Sequence, residues 1–145
     1  MTIAQGATNT FKVGMMDGNY NLASGTFKIA LYTGSASIGP ETTAYTIGMA
    51  GEVVASGYTE GGQTLTITQV PTVGTQTGVA TAYMSFQDVS WTGAFTARGA
   101  LIYLDNGTTN PSVCVLDFGA DKTSTTTFTV QFPAVTNTSA IIRMT

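Results

Sequence analysis

The sequence contains no histidine, and this absence excludes most of the common catalytic sites. Ser-His-Asp and Cys-His machinery, histidine metal sites and the commonest general base all need an imidazole ring. The only cysteine is Cys114, so an internal disulfide and a cysteine-based zinc cluster are excluded as well. Cys114 lies in the apolar run 113–116, which favours a buried structural thiol. Any catalysis would have to depend on carboxylates, on a lysine or on an unusual nucleophile.

Charge is also scarce, at 9% of residues against about 25% in ordinary domains. The net charge is −3 and the five basic residues are scattered, so we expect no nucleic-acid partner. No apolar stretch approaches the roughly 18 residues of a membrane helix, and residues 1–10 lack the pattern of a signal peptide, so no membrane partner is expected. A surface with few charges repels its neighbours weakly, which favours packing against other subunits.

Among the acidic residues, Asp117 and Asp121 come nearest to a pair of catalytic carboxylates. They flank residues 118–120 and precede Lys122, an arrangement more typical of a charged turn with a local ion pair. A calcium site at 105–106 or at 117–121 is an alternative, but the EF-hand spacing is missing and a solvated turn is favoured. The sequence therefore predicts no catalytic, cofactor-binding or metal residues, no cofactor and no enzyme.

The aromatic residues offer a binding alternative, because rings can stack on the flat faces of sugars. Trp91 and Phe95 lie in an apolar neighbourhood, however, which favours packing in a core. The rings considered for such a platform are Trp91, Tyr83, Tyr103, Tyr58, Tyr45 and Tyr32.

Only one stretch is typical of a helix, near residues 10–17, with Asn9 or Thr10 as its cap. From residue 26 onward, short segments with two-residue alternation and many threonines predict strands, separated by turn signals. Residues 34–40 and 71–78 are predicted to be loops. The predicted strands cover 27–32, 44–47, 63–70, 79–86, 89–91, 95–104, 113–118, 126–132 and 140–144.

This pattern predicts a mainly β fold, a jelly-roll-like β-sandwich of about eight to nine strands with one short N-terminal helix. A chain of 145 residues fits one such domain. The predicted organisation is an N-terminal arm with the short helix over residues 1–25, followed by a β-sandwich domain over residues 26–145.

Several segments resemble a family of small virion structural proteins encoded by tailed bacteriophages. The resemblance covers nearly the whole chain in order. It is carried by residues 26–33 (TFKIALYT), 39–45 (GPETTAY), 57–62 (GYTEGG), 97–103 (ARGALIY), 116–119 (LDFG) and 141–143 (IIR).

The resemblance implies a place in a phage particle, assembled in the host bacterial cytoplasm. It favours a capsid decoration, or cement, protein that gathers as a homotrimer and binds the major capsid protein to stabilise the shell. Many weak contacts, through sheet edges and the arm at residues 1–10, would do this without a catalytic group. The alternatives are an adaptor in the tail or fibre base, and a host-glycan-binding module of the virion that uses the aromatic rings.

Overall fold

A computed structural model describes residues 2–145, which form ten strands and one helix. The helix α1 spans Asn9–Asp17. The strands are β1 (Gly6–Ala7), β2 (Phe27–Tyr32), β3 (Gln63–Leu65), β4 (Ile67–Gln76), β5 (Val79–Phe86), β6 (Val89–Thr92), β7 (Thr96–Leu104), β8 (Ser112–Thr123), β9 (Thr127–Val130) and β10 (Ile142–Met144).

The first layer is a five-stranded antiparallel sheet in the order β1-β8-β7-β2-β3. Its centre is the pairing of β2 with β7, which runs from Phe27 opposite Leu104 to Tyr32 opposite Gly99. At one edge, Gly6 and Ala7 pair with Val115 and Cys114 of β8. Residues of the predicted N-terminal arm therefore complete this sheet.

The second layer consists of the three-stranded sheet β10-β5-β4 and the two-stranded sheet β6-β9. The main core lies between the two layers. It unites side chains of β2, β5, β6, β7 and β9, including Phe27, Ile29, Phe86, Trp91, Ile102 and Phe128. The prediction of a mainly β sandwich with one short N-terminal helix is confirmed, with two very short strands bringing the count to ten.

A second core lies on the opposite face of the five-stranded sheet. Ala30, Tyr32, Leu101 and Tyr103 point to this face and are covered by side chains from the long segment 33–62, among them Ile38 and Tyr45. Both faces of β2 and β7 are consequently buried, which explains why their sequences are apolar almost throughout.

Helix α1 begins one residue before the predicted start, and its cap is Thr8 instead of Asn9 or Thr10. The Thr8 hydroxyl accepts a hydrogen bond from the Phe11 N–H at 3.2 Å, and Gly18 ends the helix in the left-handed conformation. The helix contains a glycine at position 14, where any larger residue would place its Cβ on the ring of Tyr20. Within residues 2–145 no helix has the length and apolarity needed to span a membrane.

The predicted loop at residues 71–78 is wrong. Strand β4 continues to Gln76, and the turn consists of Thr77 and Gly78, both with positive φ. Pro71 is tolerated because it lies on an edge strand, next to the register shift between Gln69 and Thr72. The pair β4–β5 is thus one long hairpin.

Three other boundaries also differ from the prediction. Strand β8 runs on to Thr123 and contains both Asp117 and Asp121, but its pairing with β7 is irregular between them, where Gly119 has φ of +79°. The stretch 63–70 is divided between β3 and β4. The predicted strand at 44–47 is reduced to a single bridge between Ala44 and Pro111.

Candidate subunit interface

The acidic residues do not converge on a catalytic or metal-binding centre. In the described part of the chain, no three His, Cys, Asp or Glu side chains lie close enough together to hold a metal ion. Asp117 accepts hydrogen bonds from the Gly119 N–H at 2.8 Å and from Arg98 Nε at 3.0 Å. These two donors hold the pKa of Asp117 below its ordinary value. Its ion-pair partner is therefore Arg98 on the neighbouring strand β7, and not Lys122 as the local sequence predicts.

The turn at residues 105–110 uses its side-chain oxygens to bind its own backbone. Asn106 Oδ1 accepts the N–H groups of Thr108, Thr109 and Asn110 at 2.9–3.1 Å. Asp105 Oδ1 accepts the Gly107 N–H at 3.3 Å. This arrangement is that of a self-satisfied Asx turn, in which the oxygens considered for calcium already have donors.

Cys114 is a buried residue of β8, 8% exposed, opposite Ile102 of β7. Burial raises the pKa of its thiol to about 12, so the group is protonated at neutral pH. A protonated thiol in apolar surroundings is a poor nucleophile. This agrees with the prediction that Cys114 is a buried structural residue.

The aromatic rings considered for a carbohydrate platform lie mostly in the two cores. Trp91 is 2% exposed and packs beside Tyr58 and Phe128, with ring centroids 6.1 and 6.3 Å away. Tyr32, Tyr45 and Tyr103 are buried on the other face of the sheet. Of the six rings named for a platform, only Tyr83 is partly exposed, so they do not form a stacking surface.

A buried carboxylate organises the second core, and the sequence analysis did not single it out. Glu52 is 9% exposed and accepts hydrogen bonds from Tyr45 Oη at 2.9 Å, Tyr58 Oη at 2.8 Å and the Gly61 N–H at 2.7 Å. These three donors give the buried charge the partners that it needs. The one available signal was a glutamate within a segment rich in glycine and tyrosine.

The same tyrosines connect segment 33–62 to the sheet beneath it. Tyr58 Oη accepts the Leu31 N–H at 2.9 Å, and Tyr103 Oη donates to the Gly61 carbonyl at 2.7 Å. The rings of Tyr45 and Tyr103 stack with centroids 4.5 Å apart. We call Glu52, Tyr45, Tyr58 and Tyr103 the Glu52 cluster. Its bonds are directed at the protein itself, which indicates a structural role.

We expect the folded protein to lose stability steeply above about pH 10. Burial raises the pKa of five tyrosines above the ordinary value of 10.0, in the case of Tyr20 to about 12. Between the unfolded and folded pKa values the folded state holds more protons, so each group lowers the free energy of unfolding by about 1.4 kcal/mol per pH unit. The other four tyrosines are Tyr32, Tyr45, Tyr58 and Tyr103.

An alkaline titration that follows phenolate absorbance and circular dichroism together checks this prediction. The five buried tyrosines should ionise in one cooperative step that coincides with unfolding. Gradual ionisation of all tyrosines near pH 10 with an unchanged dichroism spectrum would contradict it.

Three of the nine exposed large apolar side chains in residues 2–145 lie on the β4–β5 hairpin, and the other six are Val13, Met16, Ile47, Val54, Val135 and Met144. Val70, Val73 and Val79 are 51%, 65% and 48% exposed. The chain carries no charged residue from Gly61 to Gln87, a stretch that includes the whole hairpin. Strand β10 pairs with β5 only as far as Ala82, so the end of the hairpin, residues 75–80, has no third strand beside it.

An open apolar groove of about 990 Å³ lies between helix α1 and the three-stranded sheet. Lys12 and Arg143 also line it and are the only charged residues there. Val73, Ala82 and Met144 occupy one cross-strand row, so Val73 lies on the same face of this sheet as Met144. The apolar side chains of the groove include Met15, Met16, Leu22, Met84, Ile142 and Met144.

The uncharged hairpin and the mostly apolar groove are the best candidates for contact with another subunit. No protein-family model, curated protein or solved structure shows a significant match to this chain.

Proposed function

We propose that this protein is a structural component of a tailed-bacteriophage virion, and that it is a capsid decoration protein. In this role it binds the outside of the major capsid shell and stabilises it. The proposal joins the resemblance described above to the physical character of the molecule.

The observation that carries the proposal is the exposed apolar hairpin on a surface with few charges. A two-stranded ribbon is at best marginally stable in water on its own. Covering its exposed valines removes apolar surface from water and so lowers the free energy. An apolar region of this kind marks a site of protein contact more often than a site of chemistry.

A decoration protein acts by bridging shell subunits that would otherwise separate under internal pressure. Each contact can be weak, because simultaneous contacts with several subunits multiply the effective affinity. A rigid sandwich suits this task, since it transmits load between its contact points without rearranging. The second core makes the long segment 33–62 part of that rigid body.

Quantifying the protein in purified virions of the encoding phage tests the proposal. A decoration protein occurs in hundreds of copies, whereas a tail or fibre-base adaptor occurs in about six or twelve, because copy number follows the symmetry of the site. Densitometry against the major capsid protein should give a ratio near that of the shell. A low copy number would favour the tail adaptor, and absence from the particle would refute both.

Reconstruction of the particle supplies the second readout. We expect density for the sandwich on the outer shell, with apolar surface of the hairpin or groove against a neighbouring chain. The homotrimer that the resemblance implies should then appear as a threefold arrangement on that shell.

A further inference from the structure

Strand β4 forms an open edge of the three-stranded sheet, since the order of that sheet is β10-β5-β4. Beyond the register shift, residues Thr72 to Gln76 pair regularly with Tyr83 to Val79. All of these β4 residues except Gly74 are exposed. An edge of this length is a template for pairing with another strand.

The backbone groups available on this edge follow from the turn. In a hairpin with a two-residue turn, the flanking residues Gln76 and Val79 exchange hydrogen bonds, and every second residue before them also faces the partner strand. Thr72 and Gly74 therefore direct their backbone groups to β5. Val73 and Thr75 direct theirs outward, to solvent.

The features that normally protect an edge strand are missing here. Natural edges carry lysines, inward-pointing charges, prolines or bulges. On β4, the proline and the irregularity both lie at or before residue 71, and no charge is present in the hairpin. The stretch after Pro71 is left open.

The lack of charge also indicates which partner fits. In a twofold contact of one short strand with itself, a charge on the strand lies close to the same charge of the other copy across the axis. A neutral strand avoids that repulsion and is suited to pair with itself. A partner recognised by charge would find no complementary group on the hairpin.

We propose that β4 pairs with β4 of a second copy of this chain, antiparallel and around a twofold axis. Val73 of each copy lies opposite Thr75 of the other, with the twofold axis beside Gly74, and the two pairs exchange about four backbone hydrogen bonds. The two three-stranded sheets join into one six-stranded sheet, and Val73 and Met144 of both copies lie on the same face of it. Pro71 ends the paired stretch, since it has no N–H to donate.

This contact does not depend on the proposed place in a virion. A twofold contact closes on itself, so it forms a dimer in solution and not a fibre. On a particle it would link neighbouring threefold assemblies. Failure of the contact in solution leaves the copy-number test of the virion proposal unaffected.

Sedimentation equilibrium on the full chain tests the pairing, from about 10 µM to about 1 mM because a small interface is weak. We expect a reversible dimer. Thr75→Lys should raise the dissociation constant about tenfold or more, since the two lysines then lie diagonally across the axis on the same face of the sheet and repel each other. Thr108→Lys, an equal charge change on a distant exposed turn, should leave it unchanged.

Residue-resolved amide exchange at the same concentrations gives a readout specific to the edge. The Val73 and Thr75 amides should exchange about tenfold more slowly as the dimer forms, since each gains a hydrogen bond. The Thr72 and Gly74 amides, already bonded to β5, should change little. Both lysine variants should first show the wild-type dichroism spectrum and melting temperature.

Three outcomes would overturn the pairing. The first is a monomer across the whole concentration range. The second is a dimer that Thr75→Lys weakens no more than Thr108→Lys does. The third is a dimer that protects the amides of β10 instead of those of β4, which would place the contact on the opposite edge of the sheet.

Discussion

Replacing Glu52 with alanine is expected to lower the free energy of unfolding by about 3–5 kcal/mol, because three buried donors lose their acceptor together. Tyr45 Oη, Tyr58 Oη and the Gly61 N–H all point at this carboxylate. Each unsatisfied buried donor costs about 1–3 kcal/mol, reduced where water enters the vacated space. Denaturant titration followed by Trp91 fluorescence measures the change.

The matched variants Glu52→Gln and Glu41→Ala separate the causes. Glutamine keeps one carbonyl oxygen for Tyr58 and Gly61 and can donate to Tyr45, so it should cost only about 1–2 kcal/mol. Glu41 is exposed and accepts one hydrogen bond from Asn9 Nδ2 at 2.8 Å, so its loss should cost less than about 1 kcal/mol. Equal effects of Glu52→Ala and Glu41→Ala would refute the role given to the Glu52 cluster.

Replacing Gly62 with alanine is expected to have a similar or larger effect, at least about 4 kcal/mol, because both conformation and space oppose the new methyl group. Gly62 has φ of +75°, in the left-handed region. A Cβ there would overlap the carbonyl oxygen of Ile29, which belongs to the central strand β2. The atoms that this Cβ would overlap belong to the backbone of Ile29 and Ala30. A backbone atom cannot rotate away as a side chain can, so the sheet itself would have to shift.

Gly48→Ala is the control for the conformational part of this cost. Gly48 has φ of +81°, but no atom lies within 4 Å of the position of its missing Cβ. Alanine there should cost only the left-handed strain, about 1–2 kcal/mol. If Gly62→Ala fails to fold, the comparison of soluble yields with Gly48→Ala still tests the prediction. Similar stability and yield of the two variants would contradict it.

The fold class could be predicted from the sequence because alternation and turn residues are local signals. Phe128 and Val130 alternate with threonines in β9, and Asn106-Gly107 correctly predicts the turn between β7 and β8. Such patterns require only that one face of a strand be buried. They were sufficient for the sandwich and for the helix.

The errors arose where distant contacts override a local signal. Pro71 and Gly74 favour a loop, yet an edge strand can hold both. Pro71 has no N–H, but an edge residue can do without that donor, and the absence of a side chain at Gly74 leaves room for Asn137. Asp117 and Gly119 do form a local bend, with Gly119 at φ of +79°, but β8 resumes its pairing with β7 at Lys122, so the strand continues beyond the bend.

The candidate interface and the Glu52 cluster were even less accessible to sequence analysis. The donors to Glu52 all lie within segment 33–62, but they follow no recognised spacing, and Tyr103 joins the cluster from the distant strand β7. The hairpin was missed because residues 71–78 were predicted to be a loop. The low charge favours contact with other subunits, which stays a prediction, and the strand that offers an open edge became evident only with the order of the sheet.

The pairing of β1 with β8 also has a consequence for how the chain acquires its structure. The Thr8 hydroxyl donates a hydrogen bond to the carbonyl of Ser112, 104 positions further along the chain. Both residues must have been synthesised before the first layer can form completely. A ribosome must therefore release most of the polypeptide before this layer forms, while the β4–β5 hairpin can assemble much earlier from neighbouring residues. Folding dominated by such remote contacts takes milliseconds to seconds in comparable β proteins. During that interval the uncharged hairpin has an unpaired edge, so we expect folding at high concentration to increase aggregation.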